Sequence, residues 1–230
     1  MSLEGEINYP LKANLEHIRA KPFTDPRAFR EFTLALELIR EVHPTGNLLD
    51  LGCGPGWTSV FFAMAGYRVT AVDIAPTMID ILKEHAQARN VEVEYLATDA
   101  SNLSLSSKDY DVALFFDSLH HFPNYEMALH SAYEHLAPGG MILLMEPSWL
   151  HRHSPHAKRA AQIYDVTELG FSRRELNNAL RSTGFRNIRH FHDPGRSYRG
   201  LGGLVSTLGA SLADFVSAFP QRKRIFTAQK

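Results

Sequence analysis

Residues 47–57 read Asn-Leu-Leu-Asp-Leu-Gly-Cys-Gly-Pro-Gly-Trp, an apolar run that ends in a glycine-rich turn. The run predicts a buried strand over 47–51, and the next residues predict a helix from Trp57 to Ala65 that Gly66 ends. A strand, a glycine loop and a helix form the usual nucleotide-binding crevice of an open α/β sheet. This stretch therefore predicts both the fold class and the place where a ligand binds.

The glycine spacing narrows the class of ligand. Glycines at 52, 54 and 56 follow the pattern G-x-G-x-G, whereas the dinucleotide fingerprint G-x-G-x-x-G needs its third glycine at position 57. Position 57 is tryptophan, which is too large for the close helix–strand packing that this glycine allows. A nicotinamide oxidoreductase is therefore disfavoured, and a phosphate loop is too, because no Gly-Lys-Ser/Thr follows.

Helix and strand patterns alternate on both sides of the loop, as they do in an α/β sheet. Further strands are predicted over 68–73, 91–98, 110–116, 141–145, 185–191 and 225–228, the last as a short edge strand. Helices are predicted from Asp25-Pro26 to about Ile39, over 76–89 and 123–136, and from the capping box at 172–175 to Gly184. An apolar stripe over 204–219 predicts one more helix, packed on the body of the domain.

The composition is that of a globular chain with a sizeable core. Of the 230 residues, 44% are apolar and 21% charged, and the formal net charge is −1. This balance gives no field that favours nucleic acid or an anionic membrane, so neither partner is expected. The single cysteine, Cys53, excludes an internal disulfide. Since no apolar run approaches a membrane span and Met1–Pro10 does not read as a signal peptide, we expect a cytoplasmic protein.

Three aspartates are predicted around the crevice. Asp50 precedes the glycine loop, Asp73 ends the second strand, and Asp99 ends the third. A carboxylate at Asp73 can accept hydrogen bonds from two ribose hydroxyls, and one at Asp99 can accept from an adenine amino group. Three carboxylates suit a ligand with hydroxyls, amines and a positive sulfur better than they suit a pyrophosphate, because like charges repel.

These segments together resemble the class I S-adenosylmethionine-dependent methyltransferases. The resemblance rests on residues 48–56, 69–78, 98–100, 110–121 and 136–140, which occur in the order and spacing of that family. The stretch His120-His121-Phe122, after the predicted fourth strand, resembles the stretch found at this place in the branch of the family that acts on small molecules. The resemblance implies one Rossmann-like α/β domain over 1–230, with a seven-stranded, mostly parallel sheet, helices on both faces and an antiparallel last strand.

The resemblance also implies S-adenosylmethionine as cofactor, S-adenosylhomocysteine as product, and a role for each matching residue. The glycines would let the backbone approach the methionine part, Asp73 would hold the ribose hydroxyls, and Asp99 would bind the adenine edge. The expected cofactor-binding residues are Asp50, Gly52, Cys53, Gly54, Gly56, Trp57, Asp73, Ile74, Met78, Asp99, Ala100 and Phe116. Cys53 is interpreted as a small residue needed inside the turn, because no base partner for a nucleophile is evident.

The acceptor is expected to be a small molecule that is methylated on oxygen or nitrogen. Candidates for a general base are Asp117, His120 and His121, although the two histidines fit a packing role equally well. Around a core of about 25–147 and 172–230, the segments 1–24, 146–170 and 193–223 are expected to close over the acceptor. Tyr9, Trp149 and Tyr164 are the aromatic residues expected in its pocket.

Candidate metal ligands within 146–170 are the three closely spaced histidines His151, His153 and His156. Zinc sites are usually built from spaced ligand pairs that include cysteine or carboxylate, so no metal is expected and the segment is interpreted as a solvated lid. Residues 221–224 form a short basic run, interpreted as a solvated turn. Two alternatives stay open: a non-catalytic S-adenosylmethionine-binding module, and a methyltransferase that acts on a macromolecule. The oligomeric state is not predicted.

Overall fold

The computed structural model describes residues 3–106, 109–192 and 223–230. Seven strands form one sheet: β1 (Asn47–Leu51), β2 (Arg68–Asp73), β3 (Glu94–Ala97), β4 (Tyr110–Phe116), β5 (Leu136–Pro147), β6 (Arg186–His192) and β7 (Lys223–Gln229). Their order across the sheet is β3-β2-β1-β4-β5-β7-β6. The order reverses between β1 and β4, which is where ligands bind in open α/β sheets.

Helices cover the sheet. In the described part of the chain the α-helices are α1 (Leu3–Lys12), α2 (Leu15–Arg19), α3 (Pro26–Arg40), α4 (Trp57–Met64), α5 (Pro76–Ala88), α6 (Tyr125–His135), α7 (Pro155–Tyr164) and α8 (Arg173–Thr183). None of the helices described here combines the length and the apolar character needed to cross a membrane.

The strand pairing confirms the predicted sheet but gives the last strand a different position in it. β1 to β5 pair in parallel, whereas β7 runs antiparallel to both β5 and β6. The prediction of an antiparallel last strand is confirmed, but the prediction that it is an edge strand is wrong. Ile225 and Phe226 are buried because β7 has a neighbour on each side. A short apolar run does not distinguish a central from an edge position.

The core forms on both faces of the sheet because alternate residues of a strand point to opposite sides. In β4, Ala113 and Phe115 belong to a buried cluster that includes residues of α6 and α8. Val112 and Leu114 belong to a second cluster with residues of α3. The predicted helices on both faces are therefore confirmed.

Local signals set several helix ends as predicted. The Asp25 side chain accepts a hydrogen bond from the Arg27 amide at 3.0 Å and caps α3. Ser172 and Glu175 form the predicted capping box at the start of α8, with reciprocal hydrogen bonds of 2.7 and 3.1 Å. Helix α6 ends at His135, directly before the predicted stop over 137–140. That stop lies within β5, which begins earlier than predicted and pairs irregularly with β4 there, with Gly139 at φ +82°.

The two segments outside the core contact one another. Helix α1 packs against α7, where the rings of Tyr9 and Tyr164 meet edge to face at 5.2 Å. The Glu6 carboxylate accepts a hydrogen bond from the Thr167 amide at 2.6 Å. A β-bridge between Ser148 and Phe171 returns the chain from this segment to the sheet. The predicted helix over 204–219 and the segment 193–222 lie outside the described residues.

Candidate functional site

The glycine loop after β1 has three left-handed residues. Gly52, Gly54 and Gly56 have φ of +72°, +54° and +72°, a conformation that side chains disfavour. A Cβ at Gly52 would lie 2.7 Å from Ser118 Cβ, and one at Gly56 would lie 2.3 Å from Leu82 Cγ. A Cβ at Gly54 would meet nothing within 4 Å. Gly54 therefore presents its backbone to open space, whereas Gly52 and Gly56 are required by packing.

Asp73, at the end of β2, ties the glycine loop to the next turn. Its Oδ2 accepts from the Gly54 amide at 2.8 Å and its Oδ1 accepts from the Ala75 amide at 2.9 Å. Burial raises the pKa of the carboxyl, and the two backbone donors oppose this shift. Since a carboxylate has about four acceptor positions, each oxygen keeps capacity for a further donor from the cavity.

A cavity of about 500 Å³ lies at the carboxyl edge of the sheet. One wall comes from the loops after β1, β2 and β3 and includes seven of the expected cofactor residues: Gly52, Gly54, Asp73, Ile74, Met78, Asp99 and Ala100. The loop after β4 contributes Asp117, His120 and His121 to the same cavity. The structure therefore brings together most of the residues that the sequence singles out.

Asp99 has a local role in addition to its place in the wall. Its Oδ1 accepts from the Ser101 amide at 2.9 Å and from the Ser101 hydroxyl at 2.7 Å. These bonds cap the short 3₁₀-helix Ala100–Asn102 and fix the carboxyl group beside the cavity.

Five expected cofactor residues are not among the described residues that line the cavity: Asp50, Cys53, Gly56, Trp57 and Phe116. The rings of Trp57 and Phe116 instead pack perpendicular to each other at 5.4 Å. Cys53 is buried, and burial raises the pKa of its thiol, which agrees with a packing role.

Asp50 lies beneath the loop and is only 1% exposed. Its Oδ2 accepts from the Thr58 hydroxyl at 2.8 Å and from the Ser59 hydroxyl at 2.6 Å. Burial raises the pKa of this carboxyl to about 6, against the opposing effect of the two hydroxyl donors. Asp50 thus joins the end of β1 to the first turn of α4.

Asp117 begins the turn after β4 in a left-handed conformation, with φ +55°. It forms an ion pair with Lys223, whose ammonium group also lies 4.0 Å from the Glu31 carboxylate. Burial favours the neutral form of Asp117, but Lys223 and then His120 outweigh it and lower the pKa of the carboxyl. A carboxylate held charged in this way is a weak base.

Glu146 organises the same turn and is a site residue that the sequence interpretation missed. It is 0% exposed and accepts from the amides of Ser118, Leu119 and His120 at 3.1, 2.8 and 3.2 Å. Its Oε2 also lies 2.8 Å from His120 Nδ1. An acidic residue directly after the buried run 141–145 was the available signal, because it falls at the carboxyl edge of the sheet.

His121 faces two acidic residues from outside the core. Its Nδ1 lies 2.9 Å from the Thr167 carbonyl and 3.9 Å from a Glu6 carboxylate oxygen. Glu168, which also lines the cavity, has its Oε2 2.6 Å from His151 Nε2. Burial and the neighbouring His120 lower the pKa of His121. Sequence gave no signal for Glu6 or Glu168, because only the folded chain brings them to the histidines.

The expected aromatic wall is found in part. Tyr9 and Tyr164 line the cavity, whereas Trp149 is 44% exposed and lies outside the lining, with its ring 6.1 Å from that of His153. Among the described residues, the expectation that Trp149 lines the cavity is therefore not met.

Comparisons with known proteins agree with this geometry. A family model described as a methyltransferase domain matches residues 15–190. The demethylmenaquinone methyltransferase of Thermus thermophilus is 33% identical over 114 residues, which are 49% of this chain and 51% of that protein. The ubiquinone biosynthesis O-methyltransferase of Rickettsia akari is 31% identical over 98 residues, or 43% of this chain and 39% of that protein.

A solved structure gives the same fold. The 1,6-didemethyltoxoflavin-N1-methyltransferase of Burkholderia thailandensis, solved with 1,6-didemethyltoxoflavin and S-adenosylhomocysteine, superposes with a TM-score of 0.62 at 23% identity. The match covers 94% of this chain and 84% of that one. Likeness at this identity concerns the fold alone. The chain also spans only about half the length, or less, of the curated relatives named above.

Proposed function

Because this chain belongs to the methyltransferase domain family, we propose that it transfers the methyl group of S-adenosylmethionine to an oxygen or nitrogen atom of a small molecule. The observation that carries the proposal is that the expected cofactor residues and the histidines after β4 line one cavity at the carboxyl edge of the sheet. One of its walls joins exposed glycine backbone to carboxylates, and the other includes histidine, tyrosine and glutamate side chains.

The first wall fits the cofactor. Gly54 leaves open space next to its backbone, as the methionine part requires, and Asp73 retains acceptor positions for two ribose hydroxyls. Asp99 and Ala100 would hold the adenine edge, with Ile74 and Met78 against its faces. When bound, S-adenosylmethionine supplies a methyl group on a cationic sulfur. Because of its positive charge, the sulfur is already activated as the leaving group.

The second wall fits an acceptor. Helix α1, helix α7 and the residues between α7 and α8 contribute Tyr9, Tyr164, Glu6 and Glu168 to the cavity. We propose that these segments, from 1–24 and 146–170, cover the acceptor. Proximity and alignment then do most of the work, since holding two reactants in line can lower a barrier by about 7–11 kcal/mol.

Transfer breaks the carbon–sulfur bond, and the pair of electrons stays on sulfur while a lone pair of the acceptor forms the new bond to carbon. A hydroxyl acceptor must also give up its proton. Of the three candidate bases, Asp117 is the weakest, because Lys223 holds it charged. The Nδ1 atoms of His120 and His121 face Glu146 and the Thr167 carbonyl, so the Nε2 atoms are the ones available to activate the acceptor.

A small-molecule acceptor is favoured by the cavity volume of about 500 Å³, which is within the range of sites for small ligands. The relatives' names agree with this class, since they refer to quinones and to toxoflavin. Two other functions would use the same cofactor wall: a non-catalytic binding module and a methyltransferase that acts on a macromolecule. The histidine wall favours catalysis over binding alone.

The test separates binding from turnover. Calorimetry should give one-to-one binding of S-adenosylhomocysteine, and methyl-labelled cofactor should label at least one compound in a panel of phenols, quinols and heterocyclic amines. Asp73→Ala should lower both signals, whereas Asp80→Ala, on the exposed face of α5, should lower neither. Tight NADH binding without S-adenosylhomocysteine binding would refute the proposal. Cofactor binding without any turnover would leave the binding module as the function.

A further inference from the structure

Two histidines and a glutamate converge on the acceptor wall. His120, His121 and Glu168 each offer one ligand atom, and these atoms all lie within 4.8 Å of one another. The histidines come from the turn after β4, and Glu168 comes from the residues between α7 and α8. Two imidazoles and one carboxylate form a ligand set that suits first-row divalent metals and leaves positions open for other ligands.

The hydrogen bonds of the two histidines prepare them for this role. A carbonyl oxygen only accepts, so His121 Nδ1 carries the hydrogen and donates a hydrogen bond to the Thr167 carbonyl, 2.9 Å away. His120 Nδ1 faces the Glu146 carboxylate at 2.8 Å in the same way. When each ring is neutral, its lone pair is then on Nε2. Metal-binding histidines almost always have the second nitrogen on a carboxylate or a backbone carbonyl, since this fixes the tautomer and the ring orientation.

The carboxylates of the wall also suit a cation. Glu168 is held in place by His151, whose Nε2 lies 2.6 Å from Glu168 Oε2. Glu6 lies beside it on α1, with one oxygen 3.9 Å from His121 Nδ1. A bound cation would offset the repulsion between two partly buried carboxylates.

We propose that His120, His121 and Glu168 bind a divalent first-row transition-metal ion, with open positions that face the cavity. This assignment differs from the expectation of no metal, which considered only His151, His153 and His156. Of those three, His151 has the supporting role of orienting Glu168. The ligand set instead joins the histidine pair after β4 to a glutamate 47 positions further along the chain.

The consequence for the reaction rests on the proposed methyl transfer. An ion at this place would orient the acceptor and lower the pKa of a hydroxyl group bound to it. The imidazoles would then activate the acceptor through the ion, and the acidified hydroxyl group would release its proton to solvent before its oxygen attacks the methyl group. Acceptors with one or two hydroxyl oxygens, such as phenols and catechols, are the class that such a site selects, because hard oxygen donors can fill its open positions.

The experiment uses the full chain without a histidine tag, dialysed first against a chelator. Titration with Co²⁺ and with Zn²⁺ should each saturate at one ion per chain, and the Co²⁺ form should show visible ligand-field absorption. His121→Ala and Glu168→Gln should abolish the saturable binding. His153→Ala, an exposed histidine of the same segment, is the matched control and should leave it unchanged.

Retained S-adenosylhomocysteine binding shows that each variant is folded. If His121→Ala does not fold, Glu168→Gln still tests the site, because glutamine keeps the shape of the glutamate side chain. The proposal is overturned if the parent chain binds neither ion saturably, or if both ligand variants bind as the parent does. These outcomes differ from failure of the methyltransferase function. Methyl transfer that continues in excess chelator removes only the ion's part in the reaction, whereas one-to-one metal binding without any methyl transfer removes only the reaction.

Discussion

Lys223, the first residue of β7, forms an ion pair with Asp117, the first residue after β4. Strand β5 lies between β4 and β7, and Lys223 is in register with its last residue, Pro147. The pair therefore connects the last strand of the chain to the turn that carries both histidines. It explains why Asp117 stays charged and why it is a poor candidate for a base.

Replacing Lys223 tests the stabilising value of this contact. Lys223→Met leaves Asp117 without its ammonium partner, and removing one partner of a fully buried pair costs about 3–5 kcal/mol. Since the Asp117 side chain is 49% exposed, water screens much of that penalty and we expect a loss of about 1 kcal/mol of unfolding free energy. Urea denaturation measures it. The control is Lys83→Met, which removes an exposed ion pair with Asp80 and should change the free energy of unfolding little. Equal losses of unfolding free energy in the two variants would contradict the role given to Lys223.

Asp73 is the residue on which cofactor affinity should depend most. Its carboxylate holds the Gly54 amide and retains acceptor positions towards the cavity. Hydrogen bonds to charged groups are worth about 1.5–3 kcal/mol, so Asp73→Ala should weaken S-adenosylhomocysteine binding by that amount. Calorimetry measures the dissociation constant. An unchanged value would refute the assignment of Asp73 to the ribose.

The glycine loop allows stability to be separated from binding. Gly54→Ala places a methyl group in open space, so its only folding cost is the left-handed conformation, about 1–2 kcal/mol. The same methyl group intrudes on the cofactor, so the affinity for S-adenosylhomocysteine should fall. Gly56→Ala has the same conformational cost and adds a clash with Leu82, so it should lower stability more. Thermal melts measure the stability of both variants, and calorimetry measures their affinity for S-adenosylhomocysteine. Normal affinity in Gly54→Ala would show that the cofactor does not bind next to Gly54.

The sequence was sufficient to predict that the proposed cofactor-binding glycines and aspartates lie together, because each of their positions is set locally. The glycines, Asp73 and Asp99 each lie at the end of a recognisable strand, and parallel strands bring those ends to one edge. The central position of β7 was not predictable, because the burial of Ile225 and Phe226 depends on a partner strand that the apolar run does not identify.

The acceptor wall depends on contacts between distant residues, which is why sequence reasoning found only part of it. Tyr9 and Tyr164 were expected, but Glu6 approaches His121 only because α1 packs on α7. Trp149 is an aromatic residue in the expected segment, yet it is not among the described residues that line the cavity. The aromatic residue types correctly indicated which segments contribute to the cavity. Which side chains of those segments line it depends on how the segments pack.

Asp50 should make the protein less stable as the pH rises through the acidic range. Burial raises its pKa from the ordinary 3.8 to about 6, so the folded state holds this proton more tightly than the unfolded state does. Stability from this group is therefore greatest below about pH 4 and is lost between about pH 4 and 6. A shift of two pKa units corresponds to about 3 kcal/mol.

Asp50→Asn isolates that contribution, because it removes the titrating group from a chain whose other carboxyl groups are unchanged. The difference in unfolding free energy between variant and parent should move in favour of the variant as the pH rises from 4 to 6. Urea denaturation at several pH values measures this difference. A constant difference over the range would show that Asp50 titrates with the same pKa in the folded and unfolded states.

Glu146 and His120 should act as one unit, and a double-mutant cycle tests this. Glu146 is buried and accepts from three backbone amides as well as facing His120 Nδ1, so Glu146→Gln turns an acceptor into a donor among donors. We expect a loss of about 1–3 kcal/mol of stability from the unsatisfied groups. Cofactor affinity should change little, since Glu146 does not line the cavity among the described residues, whereas kcat/KM should fall sharply.

The cycle distinguishes orientation of His120 from general support of the turn. If Glu146 acts on the reaction by fixing the His120 ring, then His120→Asn already removes what Glu146 provides. The double variant should be about as slow as His120→Asn alone, because residues that act as one unit are not additive. Glu175→Gln, at the cap of α8, serves as the control glutamate and should leave kcat/KM near the parent value. Fully additive losses in kcat/KM would mean that Glu146 supports the turn without orienting the imidazole.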